Sequence, residues 1–545
     1  PLAASAFLEL EPHRRFNLST LFESCLGEES GYGTTVHSVV RPFESLSPGG
    51  ATAAGYAVSV MAEHADSSVL ASARPRPLST VLLLLVASQL FFLYSGVQAA
   101  AWLSEALVVS LPLVACRKLR LREAYLLAIC AILILLAWLS DKPVIAFAEE
   151  GLARSAYLAS FIMLMALLRE GALNSRSVLE VGTFLTHQPA SRRFLAIFSG
   201  GHFFAVLINL GSLSLLAPII QRGVRATVPD GQPLDEIAMV RERRQLSAAL
   251  RGFSWFLVWA PTAVTQAVMP TLMSGIDAAR LIGLGLIMAV LMLGVSWAED
   301  ILRWRGFRKR LVSEGRLPAI PTLPFPSRSA GRLGLVCLML GGLTILFRDL
   351  GEVTIVTGVM LAAPVVVLVW VFAQQPEDAR PSRGQAAAAR LGEIGFQAIP
   401  GYIREVIFIA CAGFIGTLAA KLIMAGEVAA AIGLAEQPGW LVLWALTVSV
   451  WVFGQVGLSP ITMAVFLGSL VAELPYMPVD VTHAALAIAA GTAVCSTGGP
   501  FSSGVVMLSR ATGYSPFTLT WRWNGVYTLV AMAVLALLYA VLTGI

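Results

Sequence analysis

Apolar runs of about 20 residues, the length a bilayer demands of a helix, recur from Leu78 to the C-terminus. A chain built this way has little choice of architecture, because backbone N–H and C=O groups in lipid must be satisfied within helices or closed barrels. The runs are too long for barrel strands. Hydrophobic residues make up 57% of the chain and charged residues 13%, and the mean hydropathy is +0.76, which excludes a set of soluble domains. The expected class is an all-α polytopic membrane protein. The net charge of +5 lies mostly in short loops and gives no reason to expect a nucleic-acid partner. The six cysteines show neither metal-site nor CxxC spacing, so no zinc and no redox motif is expected.

Eleven spans are predicted, at about 79–97, 99–116, 123–140, 152–168, 246–274, 278–297, 331–347, 353–373, 404–424, 483–509 and 523–543. With the N-terminus in the cytoplasm, the cytoplasmic loops hold 28 Lys and Arg and the outer loops four. That bias fixes a multi-pass protein of bacterial inner-membrane type, N-terminus in the cytoplasm and C-terminus outside. Residues 1–78 lack periodicity and signal-peptide order, and read either as a disordered cytoplasmic tail or as an extension that the native protein does not carry.

Two further apolar segments do not fit as spans. Residues 194–220 are flanked by Arg192 and Arg193 on one side and Arg222 and Arg225 on the other; residues 439–474 are flanked by Glu427, Glu436, Glu473 and Asp480. A spanning helix should not carry basic residues on both sides, but a re-entrant hairpin satisfies the rule. The expected organisation is therefore a first helix at 79–98 and repeat 1 at 99–301, with hairpin 194–220 and broken helix 246–274. A cytoplasmic linker follows at 302–330, then repeat 2 at 331–545 with hairpin 439–474 and broken helix 483–509. The two repeats are inverted with respect to each other. Residues 177–187 are amphipathic and read as a helix in the interface, with 385–397 a similar candidate.

Four breaks at membrane depth carry the polar chemistry. The hairpin tips hold Asn209-Leu210-Gly211-Ser212 and Gln455-Val456-Gly457-Leu458-Ser459-Pro460. The broken helices hold Thr262, Thr265 and Gln266 after Pro261, and Ser496, Thr497, Gly498, Ser502 and Ser503 around Pro500. Each break frees N–H groups that suit an anion and carbonyls that, with Ser, Thr and Asn oxygens, suit Na⁺. A kinked helix with Ser and Thr is also common where nothing binds; four breaks at matched positions are what favour a site. The candidate substrate- and ion-binding residues are thus Asn209, Gly211, Ser212, Thr262, Thr265, Gln266, Gln455, Gly457, Ser459, Ser496, Thr497, Gly498, Ser502 and Ser503. Thr497 and Gly498 are expected to face the tip near Ser459. No catalytic residue and no resident cofactor or metal is expected; Na⁺ or H⁺ would be the coupling ion.

Ionisable residues inside spans are few. His202 reads as a hydrogen-bonded packing residue, Lys421 as a cation reaching the outer interface, and Glu105 as an acid toward the outer side of its span. Apart from Glu473 at the very end of the second, no Asp or Glu lies in either hairpin or next to either break in the sequence, which argues against a carboxylate proton pump there.

This order of elements resembles the ion transporter superfamily, and within it the divalent anion/sodium symporters, over about 99–543. In those proteins each repeat pairs a Ser-Asn-Thr hairpin tip with a broken helix. Here Asn209 retains the tip asparagine, whereas the second tip has Gln455 and Ser459 and no asparagine. The resemblance implies Na⁺ and carboxylate binding between tips and breaks, a homodimer, and elevator-type motion. The leading expectation is an ion-coupled secondary transporter of a small anion working by alternating access. The alternatives are a cation/proton antiporter on the same architecture, a membrane enzyme using Cys495 or Ser496 with His202 or His483, and a non-transporting subunit. No GxxxxGK[ST] motif for ATP-driven transport is present.

Overall fold

Nine helices among the described residues are long and apolar enough to cross a membrane. The computed structural model describes residues 77–173, 175–229, 231–316, 323–376 and 382–544, all helix, turn or loop with no strand. The expected extension lies outside them, except that Pro77 and Leu78 already belong to the first helix.

In chain order the helices are α1 Pro77–Ser95, α2 Gln98–Val114, α3 Leu121–Leu139, α4 Val144–Leu173, α5 Arg176–Thr186, α6 Arg193–Ile208, α7 Gly211–Arg225, α8 Glu236–Trp255, α9 Val264–Leu272 and α10 Ala278–Ser313. They continue as α11 Ser327–Gly351, α12 Ile355–Gln374, α13 Arg383–Glu393, α14 Ile403–Leu422, α15 Ala425–Ala431, α16 Gly439–Gln455, α17 Pro460–Glu473, α18 Val481–Gly498, α19 Ser503–Thr512 and α20 Gly525–Thr543. Of the eleven predicted spans, the two absent from the nine are the one at α2, 17 residues long, and the one at the interrupted pair α8–α9. The segment expected as a linker is helical at both ends: α10 runs on to Ser313 and α11 begins at Ser327, with 317–322 outside the described residues.

Local chemistry explains the ends. Asp235 accepts from the Ala238 amide at 2.7 Å and starts α8. Asp480 does the same for α18 through Thr482, also at 2.7 Å. Pro460 sits at the first position of α17, where its missing N–H costs nothing. The amphipathic segment forms α5, which packs on α6, α7 and α11.

The packing of the two halves corresponds. α6 lies along α8 and α16 along α18, so each hairpin's entering arm packs on the first part of the broken helix in its own half. The returning arms cross over: α7 packs on α19, and α17 on α9. At the centre runs α18, buried on every side. Its Ala and Gly residues let neighbours approach closely; a Cβ on Gly491 would stand 2.8 Å from the Thr447 carbonyl. Large apolar side chains such as Leu335, Leu338, Ile287 and Val290 point outward from α10 and α11, as a lipid-facing rim requires.

Candidate functional site

The first tip is short because α6 and α7 run almost into each other. Only Asn209 and Leu210 separate them, and Asn209 turns the chain with φ of +49°, a region that non-glycine residues rarely visit. Its carbonyl accepts from the Ser212 amide at 3.0 Å and the Ser212 hydroxyl at 2.9 Å. Its side-chain amide donates to the Thr262 carbonyl at 3.4 Å, and the Thr262 hydroxyl donates back to the Val206 carbonyl at 2.8 Å. Tip and break are thus tied twice. Inside the break, the Gln266 amide donates to the Val258 carbonyl at 2.7 Å and satisfies an end that the missing helical turn leaves open.

The second tip repeats the device with other residues. The Gln455 amide donates to the Gly498 carbonyl at 3.1 Å and the Trp451 carbonyl at 3.2 Å. Gly457 takes φ of +92° to turn the chain, a conformation glycine adopts freely. The helix runs on through Cys495–Gly498, so the gap is narrower than the sequence indicates, Gly499 to Ser502. Ser502 caps α19 by accepting from the Val505 amide at 3.4 Å and donates to the Ser496 carbonyl at 3.4 Å.

Among the described residues no hydrogen bond joins Ser459 to Thr497. Ser459 is the cap of α17, accepting from the Ile461 amide at 3.2 Å, and the Thr497 hydroxyl donates to Val494 of its own helix at 2.9 Å. A hydroxyl beside its own turn satisfies itself locally, so Gln455 rather than Ser459 makes the contact. Thr265 meets neither tip; its hydroxyl lies 3.3 Å from that of Thr492 on α18. Ser503 is exposed at the start of α19. The two halves meet where α19 crosses α7, with a Cβ on Gly504 falling 3.5 Å from Leu213.

Three residues escaped the sequence reading. Arg169, near the end of α4, lies against Gly211, where a Cβ would stand 3.0 Å from its Cγ. Its guanidinium sits 5.4 Å from the Tyr402 ring centre, and its Nε is buried without a hydrogen bond. Arg169, Asn209, Leu210, Tyr402 and Glu405 line a cavity of about 20 Å³, room for one water. A carboxylate therefore does reach the first tip, from α14, against the sequence expectation. Chain distance hid it: Glu405 is remote from residue 209 in the sequence. Tyr402 also donates to Glu170 at 2.5 Å.

The other ionisable residues are occupied. His202 has one ring nitrogen 3.0 Å from the Gly252 carbonyl and accepts from the Trp259 indole at 2.9 Å with the other, stacked between Phe198 and Trp259. That is a neutral packing histidine. His483 lies beside Arg280 at the opposite end of α18 from Cys495. Lys421 is paired rather than free, at 3.0 Å from Glu150 and 2.9 Å from Glu473. Glu105 lines a cleft of about 310 Å³ with Gln98, Glu149 and Glu150.

No family profile matches the chain, and no curated protein matches it. Its fold is similar to that of the YdaH transporter of Alcanivorax borkumensis, whose crystal structure is described as having an unusual topology. The TM-score is 0.50 at 15% sequence identity, over 77% of this chain and 97% of that one. The chain thus shares an all-helical fold with that transporter.

Proposed function

We propose that the chain is an ion-coupled secondary transporter of a small anion such as a carboxylate, working by alternating access in a cell membrane. The observation that carries the reading is the matched pair of half-sites: each tip gives a side-chain amide to its own broken helix, Asn209 to Thr262 and Gln455 to Gly498. Paired hairpins and discontinuous helices of this kind are where secondary transporters place substrate and coupling ion. On this reading the hairpins are re-entrant from opposite faces, the repeats are inverted, and the protein belongs with the ion transporter superfamily. The homodimer and elevator motion follow by that resemblance. The antiporter reading is weaker, because Arg169 puts a cation at the tip.

The first half-site is the anion cradle. The Ser212 and Leu213 amides at the α7 N-terminus are already held by the Asn209 and Leu210 carbonyls, so the cradle rests on the positive end of the helix dipole and on Arg169, which adds a full charge beside Gly211. Glu405 competes for that charge across the same cavity. Arg169 and Glu405 form no direct ion pair, but protonation of Glu405 would remove the negative charge that offsets Arg169 across the cavity, so proton and anion would bind together. Opposite charges lining one cavity inside a membrane protein are a reasonable basis for such coupling. Na⁺ remains a second reading at the other half-site, where the Gln455 side-chain oxygen is buried with no hydrogen bond.

Thermal unfolding of the purified protein across a panel of carboxylates and inorganic anions, at pH 6 and 8, with and without Na⁺, tests the function. Binding to the folded state raises apparent stability by mass action. At least one small anion should stabilise the wild type, and more so in acid or with Na⁺. A flat response across the panel counts against transport of small anions.

A further inference from the structure

A second cationic cluster lies at the base of the first hairpin, away from its tip. Arg193 is the first residue of α6; Arg241 and Gln245 are one turn apart on α8, which packs beside it. They are 7%, 9% and 2% exposed. Arg193 donates from Nε to the Gln188 carbonyl at 2.8 Å, and Arg241 from Nη1 to the Thr227 hydroxyl at 3.3 Å. Arg193 Nη2, Arg241 Nε and both polar atoms of the Gln245 side chain are buried and have no hydrogen bond.

Among the described residues the nearby acids are committed elsewhere. Asp300 holds Arg244 at 2.6 Å, and Glu242 accepts from Gln221 and Tyr514, each at 2.9 Å. Among the described residues no carboxylate pairs with Arg193 or Arg241. Burial and the repulsion of Arg241 and Arg244 push the Arg193 guanidinium down to about 10. Two like charges buried together, with donors left over, are unfavourable unless something negative completes them.

We propose that Arg193, Arg241 and Gln245 form a binding site for one phosphate group, distinct from the transport half-sites. Guanidinium forks match phosphate oxygens in geometry and charge. The Gln245 amide adds a neutral donor, and its carbonyl accepts from a hydroxyl on the phosphate or on a glycerol attached to it. The exposed residues Pro189–Arg192 border the site and leave a way in. The phosphate belongs either to an anionic lipid headgroup or to a soluble phosphate; both offer the same chemistry. Occupancy would fix the hairpin base to α8. The site depends on the membrane reading but not on any transported substrate.

The test uses delipidated full-length protein, with thermal unfolding and native mass spectrometry read in three arms: inorganic phosphate, phosphatidylglycerol and phosphatidylcholine. Saturable stabilisation by phosphate assigns a soluble ligand. Stabilisation and one retained lipid with phosphatidylglycerol, but not with phosphatidylcholine, assign a headgroup. Arg241→Met should weaken the responding arm at least tenfold while raising stability without ligand, because it removes an uncompensated buried charge. Gln245→Leu, which adds no charge, should weaken it severalfold and serves if Arg241→Met does not fold. Arg222→Met, at an exposed arginine nearby, should leave it unchanged. The proposal fails if neither phosphate nor phosphatidylglycerol stabilises the protein, or if the response survives both Arg241→Met and Gln245→Leu.

Discussion

The two half-sites share a plan and differ in charge. At the first, the tip is two residues long, an arginine lies against its glycine, and a carboxylate faces the same cavity. At the second, the tip runs from Val456 to Ser459, its central residues are exposed, and every polar group comes from neutral side chains or backbone. Packing follows the same division. α17 lies along α14, where a Cβ on Gly416 would meet Val465 at 2.7 Å, whereas α7 meets α4 over a short stretch near Arg169. On the proposed reading one of the two sites is charged and the other neutral, and the proposed anion and its competing proton fall to the first.

Changing the charge should have the largest effect. Arg169→Met is expected to weaken anion binding by about 10- to 150-fold, the range for losing a charged hydrogen-bond donor worth roughly 1.5–3 kcal/mol. Binding at saturating anion should recover, and calorimetric titration would show both. Asn209→Gly comes next. Glycine accepts the positive φ and removes only the amide, so uptake should fall about five- to tenfold, the worth of one neutral hydrogen bond of roughly 1 kcal/mol, with expression unchanged. Uptake at the wild-type rate would detach Asn209 from the site.

The glycines sharpen the contrast. A Cβ on Gly498 would stand 2.6 Å from Thr528 and 2.9 Å from the Trp451 indole, in a packed core, so Gly498→Ala should cost about 1–3 kcal/mol of stability. The nearest atoms that a Cβ on Gly211 would meet all belong to the long Arg169 side chain, which can move. Gly211→Ala should therefore unfold near the wild-type temperature while weakening anion binding. Equal losses of stability would erase the distinction. The smallest effect is expected for Thr497→Val, within about twofold in uptake, because the hydroxyl it removes bonds within its own turn and the net worth of such a bond is small. A large shift in ion activation would return Thr497 to the site.

The order of the apolar helices was legible in the sequence, because span length and flanking charge are read directly along the chain, while ends such as those of α8 and α10, which run on into polar sequence, were not. Asn209, Thr262 and Gln455 were legible for a related reason: polar residues at breaks within apolar runs stand out. Arg169 and Glu405 were not. Each lies at the end of an apolar helix among other charges, and only the packing of α4 and α14 against the tip separates them from ordinary loop residues. Ser459 was ambiguous in the sequence for another reason, since a serine before a proline marks a helix cap as readily as a ligand.

The pH dependence of anion affinity in wild type and Glu405→Gln tests the charged half-site most directly. In the wild type, affinity should rise as pH falls, because protonation of Glu405 removes the negative charge that offsets Arg169. Glu405→Gln should bind with the tighter, acid-like affinity at every pH. An unchanged wild-type pH dependence in Glu405→Gln, or loss of binding at all pH values, would contradict the competition of Glu405 and the anion for the Arg169 charge.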